Sequence, residues 1–100
     1  MKFGASIASY TTTWDSIEAA VKTMEKGRFG SVWFPDHFIP PSAWKGGEDQ
    51  PIFESWSLLS AVAASTTKLR MGHMVNGNTY RNPALVAKMA TTIDQISRGR

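Results

Sequence analysis

Residues 29–38 read Phe29-Gly30-Ser31-Val32-Trp33-Phe34-Pro35-Asp36-His37-Phe38. Val32-Trp33-Phe34 is apolar at every position, the pattern of a strand covered on both faces. Pro35 ends the run, and an acid and a histidine follow at once. A strand of this kind belongs to a parallel sheet with helices packed against it, so its flanks decide the architecture.

Upstream, Phe3, Ala5 and Ile7 alternate with small residues, as in a short strand with one buried face. Thr12 with Asp15, or Asp15 with Glu18, has the spacing of a helix N-terminal cap. Ile17, Ala20, Val21 and Met24 then recur at helical spacing, with Lys22, Glu25 and Lys26 opposite and Gly27 as the C-cap. The expectation is a surface helix over 14–27.

Downstream, residues 36–50 form a polar connection containing Pro40, Pro41, Gly46 and Gly47. It is longer than the usual strand-to-helix loop, and loops of that length tend to carry function. A second helix is expected from about Pro51–Glu54 to about Ser65. Trp56, Leu58, Leu59, Val62 and Ala63 cover most of its circumference, and no charge occurs from Ser55 to Thr67. A helix apolar all round must be covered on more than one side, by its own sheet and by a neighbour such as a second subunit. Lys68–Val75 is expected as the third strand, and Asn76-Gly77-Asn78-Thr79 as a loop. Asn82 caps a third helix with Pro83 at its first position; Leu85, Val86, Met89, Ile93 and Ile96 form its buried stripe, and Gly99 terminates it.

The order β-α-β-α-β-α argues for a parallel sheet with right-handed crossovers. Three such units are about three-eighths of an eight-stranded (β/α)₈ barrel of ~250 residues. Two edges would stay unpaired, with no charged gatekeeper on the strand at 32–34. The chain therefore reads as the first part of a larger α/β protein, a single partial barrel domain over 1–100, in preference to a complete three-stranded domain.

Composition narrows the classes further. The 100 residues are 42% hydrophobic and 19% charged, with no cysteine and a formal net charge of +3. No run approaches the ~20 apolar residues of a membrane span, and Phe3–Ala8 is too weakly apolar for a signal-peptide core. Without cysteine there is no disulfide framework or thiolate metal site, and a reducing, cytoplasmic setting fits. The basic residues are spread among the acids, so no nucleic-acid patch is expected.

In parallel α/β folds the site forms at the carboxyl ends of the strands. That rule selects Ala8-Ser9-Tyr10, Asp36-His37-Phe38 and Met74-Val75-Asn76-Gly77-Asn78. His37 is suited to general acid or base work, and Asp36 beside it to orienting a ligand, although Asp after Pro is also ordinary turn chemistry. His73 reads as a satisfied core histidine rather than a lining residue. Trp44 is the tryptophan placed to stack on a ligand; Tyr80-Arg81 could meet an anionic group, with an exposed loop arginine as the default reading. Metal-ligand spacing, Gly-x-Ser-x-Gly and Gly-x-Gly-x-x-Gly are all missing from the sequence.

Residues 29–38 resemble the second-strand signature of the bacterial luciferase-like superfamily, in the branch that uses the deazaflavin coenzyme F-420. Residues 71–88, from Met71-Gly72-His73-Met74 to Leu85-Val86-Ala87-Lys88, resemble that family's third strand and following helix. Ile93-Asp94-Gln95-Ile96-Ser97-Arg98-Gly99-Arg100 resembles its lead-in to a fourth strand. The resemblance implies the N-terminal three βα units of a (β/α)₈ (TIM) barrel carrying F-420, or FMN in sister branches, at the top of the strands. It assigns Asp36 to coenzyme contact and His37 to acid/base catalysis. Met74 and Val75, joined by a non-prolyl cis peptide, would back the ring, with Asn78 beside them. The implied reaction is hydride transfer at the deazaflavin C5 to or from a small organic substrate, in a parent expected to be a homodimer. The alternatives are an FMN-dependent monooxygenase of the same superfamily and a non-catalytic piece that only self-associates.

Overall fold

The computed structural model describes residues 1–43 and 46–100; Trp44, the proposed stacking residue, lies outside them. Among the described residues the chain runs β1 (Phe3–Ser6), α1 (Trp14–Lys26), β2 (Phe29–Phe34), a 3₁₀ turn (Gly47–Asp49), α2 (Ser55–Ser65), β3 (Arg70–His73) and α3 (Pro83–Ser97). The strands lie in the order β1-β2-β3, and both neighbouring pairs are parallel. Every strand therefore ends at the same pole, as the alternating pattern predicts. No described helix is long and apolar enough to cross a membrane.

The period-2 alternation of β2 sorts its side chains between two environments. Val32 and Phe34 are fully buried with Ile17, Val21 and Met24 of α1 and Leu58, Leu59, Val62 and Ala63 of α2. Ser31 and Trp33 lie on the opposite face, where the register sets Trp33 beside Gly72. A Cβ at Gly72 would meet Trp33 Cζ3 at 2.8 Å, and one at Gly4 would meet Trp33 Nε1 at 2.9 Å. The indole rests across both glycines and donates its N–H to Ser31 Oγ at 3.0 Å.

Local chemistry accounts for where the elements begin and end, and it corrects several expectations. Thr13, not Thr12 or Asp15, caps α1, its hydroxyl accepting the Ser16 N–H at 3.2 Å. Helix α2 starts at Ser55 because the Glu54 carboxylate takes the N–H groups of Trp56 and Ser57. Strand β3 is shorter than Lys68–Val75. The Glu25 carboxylate accepts the N–H groups of Thr67, Lys68 and Leu69 ahead of it. Beyond His73 the Met74 N–H reaches Phe34 O at 2.9 Å, and the Met74–Val75 peptide bond is cis.

Helix α3 has the expected Asn82 cap and Pro83 start. Arg98 in the left-handed region and Gly99 close its end, Gly99 N–H reaching Asp94 O at 2.9 Å. Its stripe is only partly buried: Ile93 joins the core, Val86 and Met89 pack against it, and Leu85 and Ile96 are exposed. At that end Arg100 donates to the carbonyls of Ala63, Thr66 and Leu69, tying the two helices together at the pole opposite the strand ends.

Phe34 is fully buried at the last position of β2, immediately before the loop of interest. Phe34→Ala is expected to cost about 3–5 kcal/mol, read as a lower urea midpoint at unchanged slope.

Candidate functional site

Asp36 is buried two residues past β2, at the pole where all three strands end. Its carboxylate would be costly there without partners, and two residues give it three N–H bonds. Arg81 Nη1 donates to Oδ2 at 2.7 Å and Nη2 to Oδ1 at 2.9 Å, and the Gly77 N–H reaches Oδ2 at 2.9 Å. Arg81 also donates from Nη2 to Glu54 Oε1, the carboxylate that caps α2. The side chain of Arg81 is only 8% exposed. Arg81 is therefore not the exposed loop residue expected from sequence, but the centre of a three-group charge cluster.

Burial pushes the carboxyls of Asp36 and Glu54 up, but their hydrogen bonds outweigh it. Asp36 is held below its ordinary range by Arg81 and by the Gly77 N–H. Glu54 is lowered by Ser57, Arg81 and Trp56. Arg81 is raised, chiefly by its bonds to Asp36. All three groups are thus charged at neutral pH, two negative and one positive.

His37 projects as an exposed residue from the same corner. Its neighbour Phe38 stacks on Tyr80, with ring centroids 4.5 Å apart, and the Arg81 Cζ lies 5.1 Å from the Phe38 ring centre. Across from it Met74 and Val75 are 54% and 76% exposed, joined by the cis peptide at the position the resemblance implies. Asn78 is exposed in the tight turn that closes with Tyr80 N–H on Gly77 O at 3.2 Å. Asn76 of the same loop accepts the Trp56 indole N–H at 3.1 Å. Two loops far apart in sequence thus form one rim that brings Asp36, His37, Met74, Val75 and Asn78 together. Exposed apolar groups beside a solvent-facing imidazole suit a flat, largely apolar ring.

The first strand-end loop contributes support rather than rim chemistry. Tyr10 bridges to Ile52 and the Phe53 N–H bonds Ser9 O at 2.9 Å, so residues 9–11 brace the segment leading into α2. His73 is not the satisfied core histidine expected from sequence. It packs against Trp56 on the helix side of the sheet, centroids 4.6 Å apart, and its buried Nε2 has no partner. Burial lowers its pKa, with the Asp36 charge and the Ser55 backbone opposing in part.

A family model for luciferase-like monooxygenases matches residues 1–100. The chain belongs to the luciferase-like family. It is 38% identical over 88 residues to an F420-dependent glucose-6-phosphate dehydrogenase of Amycolatopsis mediterranei, covering 86% of this chain and 25% of that protein. It is 30% identical over 88 residues to a dibenzothiophene-sulfone monooxygenase of Rhodococcus erythropolis, covering 79% of this chain and 19% of that protein. The structure of the coenzyme F420-dependent tetrahydromethanopterin reductase from Methanopyrus kandleri superposes with a TM-score of 0.80 over 99% of this chain and 25% of its own length, at 23% identity. This luciferase-like chain thus has the fold of three βα units of a TIM barrel and spans about a fifth to a quarter of the length of these relatives. Those relatives are oxidoreductases, some F420-dependent and some monooxygenases.

The charge cluster sets an acid limit on stability. A carboxyl lowered on folding contributes stability that is present above its unfolded pKa and lost as pH falls through the folded one. A histidine lowered by burial behaves alike, losing its contribution as pH falls below its ordinary 6.5. Urea unfolding at a series of pH values should therefore show a first decline below 6.5, absent in His73→Gln, and a second below the ordinary carboxyl values of 3.8 and 4.5. Asp36→Asn should be less stable than the parent at pH 7 and should lose less on acidification.

Proposed function

We propose that this chain supplies the ring-facing part of the site of a deazaflavin (coenzyme F-420)-dependent oxidoreductase acting on a small organic substrate. The observation that carries the reading is the shared rim: a solvent-facing His37 follows Asp36, whose carboxylate accepts the Gly77 N–H of the loop that exposes Met74, Val75 and Asn78. The 38% identity to an F420-dependent dehydrogenase supports the same branch.

The chain's residues divide the work. Met74 and Val75 would offer the ring an apolar ledge, and Asn78 a side-chain amide. Asp36 contributes to coenzyme binding by holding that loop through Gly77 and Arg81, its own side chain being buried beneath the rim. His37 holds or delivers a proton at the substrate side. When bound, the deazaflavin supplies hydride transfer at its C5, which no protein side chain provides. The substrate's contacts come in part from the loop at 36–50, and a homodimer is the proposed assembly of the whole protein.

A second reading, FMN with molecular oxygen in a monooxygenase, has the 30% identity to the dibenzothiophene-sulfone enzyme in its favour. Titrating the whole protein with F-420 and with FMN separates the two by the visible spectrum of the bound form. With the cofactor that binds, His37→Ala is expected to keep affinity and to lose about 10²–10⁴-fold in kcat. Unchanged turnover would remove His37 from the mechanism.

A further inference from the structure

We propose that Arg81 is the positioning residue of this rim, fixing where His37 stands relative to the Met74–Asn78 turn. The proposal rests on reading those two elements as the functional pair. Three segments meet at its guanidinium: Asp36 just past β2, Glu54 at the start of α2, and the loop before α3 that carries Arg81 itself. A planar fork on a carboxylate permits essentially one relative orientation. The same Asp36 oxygen that accepts Arg81 Nη1 also accepts the Gly77 N–H, so the turn is set by the same pair.

His37 has no hydrogen-bond partner of its own among the described residues. Its placement is inherited from its two neighbours. On one side Asp36 is locked by Arg81, and on the other Phe38 stacks on the Tyr80 ring and lies against the Arg81 guanidinium. Both flanks of His37 therefore lead to residues 77–81.

The fold has supports that do not pass through Arg81. The Met74 N–H on Phe34 O and the Trp56 indole on Asn76 hold the base of the loop. Glu54 keeps its bonds to the Trp56 and Ser57 N–H groups. Removing the guanidinium should thus loosen the rim while leaving the sheet in place.

The test uses the whole protein without coenzyme and two spectroscopic signals, amide exchange at Gly77 and the imidazole resonances of His37. In Arg81→Met, Gly77 exchange is expected to accelerate about tenfold or more and the His37 resonances to move, while the Val32 and Phe34 amides of β2 keep their protection. Arg81→Lys should return the His37 signals only part of the way, because an ammonium cannot make both bonds to Asp36. Unchanged Gly77 exchange and His37 resonances in Arg81→Met would overturn the proposal. Should that variant fail to fold, Arg81→Lys decides on the same two signals: displacement supports the assignment and identity with the parent overturns it. Both signals are read without coenzyme. Failure of the whole protein to bind a deazaflavin would leave this result standing, and unchanged signals would leave coenzyme binding standing.

Discussion

The corner where β2 and β3 end depends on a buried ion pair, Asp36 with Arg81. Removing two charges from water is expensive, and the cost is recovered only when geometry and additional hydrogen bonds are both good. Here the carboxylate accepts three N–H bonds, two from one guanidinium and one from the Gly77 backbone. Breaking such a pair from one side generally costs on the order of 3–5 kcal/mol, because the other charge stays buried alone. The arrangement is thus worth more for the single geometry it permits than for any net attraction.

Much of the scaffold was legible in the sequence because it rests on periodicity. The continuous apolar run at 32–34 and the helical spacing of Ile17, Val21 and Met24 describe burial, and burial is what the core enforces. The strand-end rule then selected Asp36, His37 and the turn at 74–78, and the fold brings them to one pole. Element boundaries were less legible. The start of β3 is set by Glu25, some forty residues earlier in the chain, and no local pattern around Lys68 records that.

Arg81 and Glu54 were missed for a related reason. An arginine in a polar loop is exposed by default, and a glutamate ahead of an apolar helix looks like a solvated boundary. Only the tertiary approach of three segments turns them into one cluster. The available signal was stoichiometric: Asp36 follows a buried strand directly, so an acid at that depth calls for a cation, and Arg81 is the cation nearest the partner turn in sequence. His73 misled in the opposite sense, since its place near the end of β3 gave no hint that Nε2 would be left without a partner beside Trp56.

On the face away from the helices, Trp33 lies over Gly4 on one strand and Gly72 on another. A side chain at either glycine requires the indole to move, and a smaller residue at 33 leaves both backbones uncovered. Side chains at 4 and 72 would thus compete with the indole for one volume shared by three strands, and at Gly4 with the Ser31 hydroxyl as well.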